Sequence, residues 1–100
     1  MTKVSPSYRF TQRAEHDLEE IIDYTLQQWG AHQTNSYIDN LEDQCRLLAD
    51  NPRLGVRRDE IRDGLFSFPY ESHILYYVMD SNDIVIVRVL HQGMDPMKHL

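Results

Sequence analysis

The sequence predicts an α+β fold of order β-α-α-β-β-β, with an antiparallel helix hairpin packed on one face of a small, mostly antiparallel four-stranded sheet. Three observations predict it. Apolar residues recur at helical spacing through the first half, short β-rich runs fill the second, and the connections are brief enough to force neighbours together. One hundred residues supply one core and too little material for two, so residues 1–100 read as a single domain. The 41% of residues counted as apolar includes six tyrosines, so that core is adequate rather than generous.

The first element is Ser7-Tyr8-Arg9-Phe10, a strand with Tyr8 and Phe10 on one side and Arg9 on the other; Pro6 limits pairing at its start, which suits an edge. Thr11 stands where an N-cap accepts a backbone N–H. Ala14, Leu18, Ile21, Ile22, Thr25 and Trp29 follow at helical spacing, and Glu15, Asp17, Glu19 and Glu20 sit near the positive helix end. A helix over 12–29 results. Gly30 provides a left-handed stop, and Tyr37, Ile38, Leu41, Cys45 and Leu48 carry a second helix that Asn51-Pro52 ends. So short a connection makes the two helices antiparallel.

Leu65-Phe66-Ser67-Phe68 reads as a strand halted by Pro69, Ile74 to Met79 as the next, and Ile84 to His91 as the last, joined through the polar turn Asp80-Ser81-Asn82-Asp83. Ile74, Tyr76 and Val78 share one face of the middle strand while Leu75, Tyr77 and Met79 share the other, so both faces need cover. The hairpin covers one. Either a partner docks on the second, or loops and the C-terminal tail fold over it; the sequence favours a partner. In the last strand, alternation groups Val85, Val87, Val89 and His91 apart from Ile84, Ile86, Arg88 and Leu90.

The net charge of −6 is unevenly spread: residues 1–50 and 63–100 are acidic, and residues 53–62 hold Arg53, Arg57, Arg58 and Arg62. An acidic chain repels a phosphate backbone, so a protein partner is expected rather than direct nucleic-acid binding. No apolar run is long enough to cross a bilayer and the first residues lack a secretory h-region, which points to no membrane contact and a cytoplasmic location. Cys45 is the one cysteine, expected in the core of a protein from a reducing compartment. No spacing of histidines or acids favours a metal, and no cofactor motif is present.

Across nearly its whole length the chain resembles the ParE toxins of the RelE/ParE superfamily. The resemblance rests on Ala14 with Asp17-Leu18 and Ile21, Trp29-Gly30 with Gln33 and Tyr37, Leu48-Ala49-Asp50-Asn51-Pro52 with Gly55, Arg62 with Gly64-Leu65, His73-Ile74 with Tyr77, and Arg88-Val89-Leu90-His91 with Met94-Asp95. It implies a toxin of a type II toxin–antitoxin system that poisons DNA gyrase by contact and is neutralised by a ParD-like antitoxin wrapping a partly disordered segment around it. Such a segment suits a hairpin groove and an uncovered sheet face. With that resemblance, Trp29, Tyr37, Tyr76, Arg88 and Leu90 are expected to meet the antitoxin. Arg57, Arg58, Arg62, His91, Met94 and Asp95 are expected to meet the target. One departure is Gly93, where family members often carry a basic residue.

The sibling toxins of the RelE type are ribosome-dependent messenger-RNA endonucleases, which would need a base, an acid and a cation here. His91, Glu71, His73, Arg58, Arg62 and Arg88 are the candidates, but strand parity sends Arg88 and His91 to opposite faces, so a non-enzymatic binder is preferred and no catalytic residue is assigned. His91 itself is open to three roles: a packed strand end, a partner contact or a catalytic group. The arginines of 53–62 either pair with Asp59, Glu60 and Asp63 or form a guanidinium patch for an acidic surface. Met94 and Met97 offer adaptable apolar contact, and Asp95 a cap or polar anchor.

Overall fold

The computed structural model describes residues 7–100, so the expected restriction by Pro6 lies outside the described residues. β1 (Tyr8–Phe10) leads through Thr11, whose hydroxyl accepts the Ala14 N–H at 3.1 Å, into α1 (Gln12–Asp50). A straight helix of these 39 residues would run about 58 Å at 1.5 Å per residue. The longest dimension of the molecule is 44 Å. Gly30 breaks the helix at φ 85°, ψ 179°, a region that only glycine occupies freely, and Leu18 and Ile22 of the first arm come beside Ile38 and Leu41 of the second. The hairpin turn is thus one residue long. Thr34 Oγ donates to the Gly30 carbonyl at 2.8 Å, steadying the second arm where it starts.

Among the described residues the sheet has five strands rather than four. Its order is β1-β5-β4-β3-β2, with β1 parallel to β5 and every other pair antiparallel. The unforeseen member is β2 (Val56–Arg57), two residues in the arginine-rich connection that pair with Ser67 and Phe66. Gly55 makes this docking possible: a Cβ there would lie 2.5 Å from the Tyr77 hydroxyl and 2.7 Å from the Ser67 carbonyl. Its N–H instead donates to Tyr77 Oη at 3.0 Å.

β3 (Phe66–Tyr70) runs through Pro69 instead of halting there. The reason is geometric: β2 reaches only as far as Phe66 and Ser67, so the outer side of β3 at Pro69 is an edge, where a missing N–H breaks no ladder. β4 (His73–Asp80) and β5 (Asp83–His91) follow through tight turns in which Glu71 and Ser81 take positive φ.

Two apolar layers flank the sheet. Ala14, Leu41, Cys45 and Leu48 of α1 close over Phe66, Leu75, Tyr77, Ile84, Ile86 and Val89 on one side. On the other, Leu65, Tyr76 and Leu90 are buried under Ile61 and Leu100, with Ile74, Val78 and Val87 around them. The second face is therefore covered by the chain's own connection and tail, and the partner favoured from sequence is not needed to bury it. The alternation expected along β5 also fails. Tyr77 pairs with Ile86 but Tyr76 with Arg88, so Val87 is an extra residue, and Val89 joins Ile84 and Ile86 on the helix side. Arg88 and His91 remain on opposite sides by their partners Tyr76 and His73.

Candidate partner-binding groove

The tip of the helix hairpin and the adjoining end of the sheet enclose an open groove of about 610 Å³. Its walls are Ile21, Tyr24 and Trp29 from the first helical arm and Gln33 and Tyr37 from the second; the sheet end contributes His73, Val89 and His91, and Met94 closes the far rim. The lining is unusual for its exposure, with Trp29 at 68%, Tyr24 at 62% and Met94 at 37%. Aromatic and methionine side chains left in water around a concave surface are the composition of a contact surface.

The sheet end is ordered by aromatic and histidine contacts. Tyr70 Oη donates to the Tyr37 carbonyl at 2.6 Å, and the two rings stand edge to face at 4.9 Å. Tyr37 Oη lies 3.3 Å from His73 Nδ1, and His73 meets His91 edge-on at 5.6 Å across the β4–β5 ladder. Burial, reinforced by the neighbouring His91, holds the His73 pKa below its usual value, so the ring favours its neutral form; burial raises the Tyr37 phenol. The Gly93 N–H donates to His91 Nδ1 at 3.1 Å, which puts the proton of the neutral ring on Nε2. A Cβ at position 93 would stand 3.4 Å from that nitrogen, an ordinary van der Waals contact, so the space beside His91 does not require the glycine at this departure.

Arg88, expected as an antitoxin contact, is committed inside the molecule. Its guanidinium grips Asp17 through two bonds of 2.8 and 2.9 Å, and the same carboxylate accepts the Val89 N–H at 2.9 Å. The remaining NH1 donates to the His99 carbonyl, tying the tail to the sheet edge. The hydrogen bonds to Asp17, and then its charge, raise the Arg88 pKa further against the opposing effect of burial. Tyr76 and Leu90, assigned to the same antitoxin surface, are 3% and 2% exposed beneath the tail. Only Trp29 and Tyr37 of that set, with the edge of Arg88 and Leu90, line the groove.

The residues assigned to the target divide as well. His91 and Met94 belong to the groove, beside the antitoxin set rather than apart from it. Asp95 caps α2 (Pro96–His99), accepting the Met97 N–H at 2.9 Å, which is the cap role read from sequence. Arg57 pairs with Asp59 at 2.9 Å and its guanidinium lies 5.7 Å over the Phe66 ring. Arg58 donates to Ser67 Oγ at 2.8 Å and approaches Glu60 at 3.8 Å. These two follow the local-pairing alternative. Asp59 is itself held low in pKa, first by the Gly64 N–H and then by Arg57. Arg62 is exposed and lies in a separate cleft beside the tail.

Tyr24 carries no expectation from the sequence, and Gln33 enters only among the residues of the family resemblance, with no role assigned to it. Tyr24 lies outside the apolar stripe of Leu18, Ile21, Ile22 and Thr25, and a large aromatic placed off the buried face was the signal available for it. Among the described residues no group of three or more His, Cys, Asp or Glu is arranged to hold a metal ion, and no helix is long and apolar enough to cross a membrane. Burial pushes the Cys45 thiol up to about 12.

Comparison with known proteins agrees with this architecture. The family model described as "ParE toxin of type II toxin-antitoxin system, parDE" matches residues 8–96. A Mycobacterium tuberculosis protein named Toxin ParE1 is 40% identical, covering 97% of this chain and all of that one. Toxin ParE1 of Caulobacter vibrioides is 33% identical over 93% of this chain and 96% of its own length. Among solved structures, a chain of the chromosomal ParDE toxin–antitoxin system from P. aeruginosa superposes with a TM-score of 0.72 at 19% identity, covering 86% of this chain and 95% of that chain, a likeness of fold. This chain, with its helix hairpin on a mixed sheet and its match across nearly every described element, belongs to the ParE toxin family of type II toxin–antitoxin systems within the RelE/ParE superfamily.

Proposed function

We propose that this chain acts in the cytoplasm as a non-enzymatic poison of DNA gyrase, and that a ParD-like antitoxin silences it by laying an amphipathic segment into the hairpin-tip groove. The observation that carries the proposal is the groove itself, where Trp29, Tyr24 and Met94 remain in solvent around Tyr37, His73 and His91. Large exposed aromatics in a concave site are the anchors on which a folding peptide gains most of its affinity. The family and the ParDE neighbour support an antitoxin as the occupant.

The ribonuclease alternative draws less support from the geometry. His73, His91 and Glu71 border the groove, but Arg58 and Arg62 do not line it, and Arg88 is neutralised by Asp17. A cation free to meet a phosphate at that site is what RNA cleavage would need. The deciding experiment adds purified chain to DNA gyrase and follows supercoiling with and without antitoxin. Inhibition with accumulation of cleaved complexes, relieved by antitoxin, is the expected result. Unimpaired supercoiling, together with messenger-RNA cuts at ribosomal A-site codons, would contradict it.

A further inference from the structure

Five arginines carry ion pairs: Arg9 with Asp80, Arg46 with Asp43, Arg57 with Asp59, Arg58 with Glu60 and Arg88 with Asp17. Arg13, Arg53 and Arg62 have none among the described residues. Arg13 and Arg62, from opposite halves of the sequence, line the same cleft of about 660 Å³ between the start of α1 and the C-terminal tail. In a chain of net charge −6, two unneutralised guanidiniums at one place stand out.

The surroundings are suited to an anion with an apolar neighbour. The cleft contains the first turn of α1, where Thr11 Oγ takes the Ala14 N–H and the N–H groups of Gln12 and Arg13 lack an acceptor among the described residues. Ile61, Val87 and Leu100 supply an apolar wall. Arg88 holds the back of the cleft in shape through its bonds to Asp17 and the His99 carbonyl. The hairpin-tip groove shares only Arg88 with this cleft, so the two surfaces can be occupied independently.

We propose that this cleft receives an acidic, partly apolar segment of a partner protein, with its carboxylates on Arg13 and Arg62 and an apolar side chain against Ile61, Val87 and Leu100. The inference refines the contact mechanism above and rests on it. A carboxylate peptide fits better than a nucleic acid because the cationic surface is confined to one cleft, with Glu15, Glu19 and Glu20 following on the same helix to repel a continuing phosphate backbone.

The test uses fluorescence anisotropy of a labelled hexapeptide alternating Glu or Asp with Leu, compared with a hexathymidylate of the same label. The proteins are the unaltered chain, the Arg13→Gln/Arg62→Gln double variant, and Arg9→Gln as an exposed-charge control. The peptide is expected to bind the unaltered chain and Arg9→Gln alike, to lose about tenfold in affinity on the double variant, and to weaken as salt rises. Equal melting temperatures exclude a folding defect. Absence of peptide binding, equal binding by the double variant, or tighter binding of the oligonucleotide would each overturn the proposal. Gyrase supercoiling with the same proteins keeps the two readings separate: failure of the unaltered chain to inhibit counts against gyrase as target, while the peptide result still decides the cleft.

Discussion

The two apolar surfaces outside the main core meet opposite fates. On the far side of the sheet, Tyr76 and Leu90 are sealed by Ile61 and Leu100, whereas at the hairpin tip Tyr24 and Trp29 stand in water. Composition does not distinguish them, since both hold large aromatic and aliphatic groups. The difference is made by one charged residue and one extra residue. Val87, bulged out of the β5 register, sets Arg88 opposite Tyr76, where it can hold both Asp17 on the helix and the His99 carbonyl on the tail. The tail is therefore committed to the far face, and nothing within the described chain covers the tip. An apolar surface left open after the chain has used its own cover is the better candidate for a partner.

Breaking the clamp should have the largest effect. Asp17→Ala leaves the Arg88 side chain, 11% exposed, without its carboxylate partner, and is expected to cost about 3–5 kcal/mol in urea unfolding. Replacing both residues by apolar ones of similar size should recover much of that loss; if the double replacement were as damaging as Asp17→Ala, the cost would lie in something other than a stranded charge. A smaller effect is expected from deleting residues 96–100, which uncovers Leu65, Tyr76 and Leu90 while leaving the sheet intact. About 1–2 kcal/mol should be lost, with the far-UV circular dichroism of the fold retained. A deletion that changed neither stability nor binding of an apolar dye would mean that the tail does not seal the far face.

The least expected change concerns pH. His73 has a folded-state pKa below its ordinary value of 6.5, chiefly from burial. The unfolded chain therefore binds the proton first as pH falls, and stability should decline below about pH 6.5 and recover above it. Tyr37 on α1 and His91 on β5 face the same ring, and Glu71 on the adjoining turn borders the same groove. Unfolding midpoints measured across that range for the unaltered chain and for His73→Gln would check the assignment, since the slope should flatten in the variant.

Most of the fold was legible in the sequence because its signals are local. Thr11, the helical periods, Gly30 and the polar turn at 80–83 each act within a few residues. What escaped depends on residues far apart. β2 forms because Gly55 can approach Tyr77 and Ser67, a contact no periodicity announces. The fate of Pro69 depended on where β2 ends, and the face of Val89 on a bulge at Val87. The site was legible only in part. Trp29 and Tyr37, which came with the family resemblance, line the groove, but the burial of Tyr76 and Leu90 and the capture of Arg88 by Asp17 required knowing where the tail lies.

Trp29 is the single tryptophan of the chain and is 68% exposed, so its intrinsic fluorescence reports directly on the groove. Titrating a tryptophan-free antitoxin segment should shift its emission to the blue in step with the heat of binding, because the ring passes from water into an apolar contact. Binding by calorimetry with an unshifted emission maximum would contradict the claim that the hairpin tip is where the partner docks.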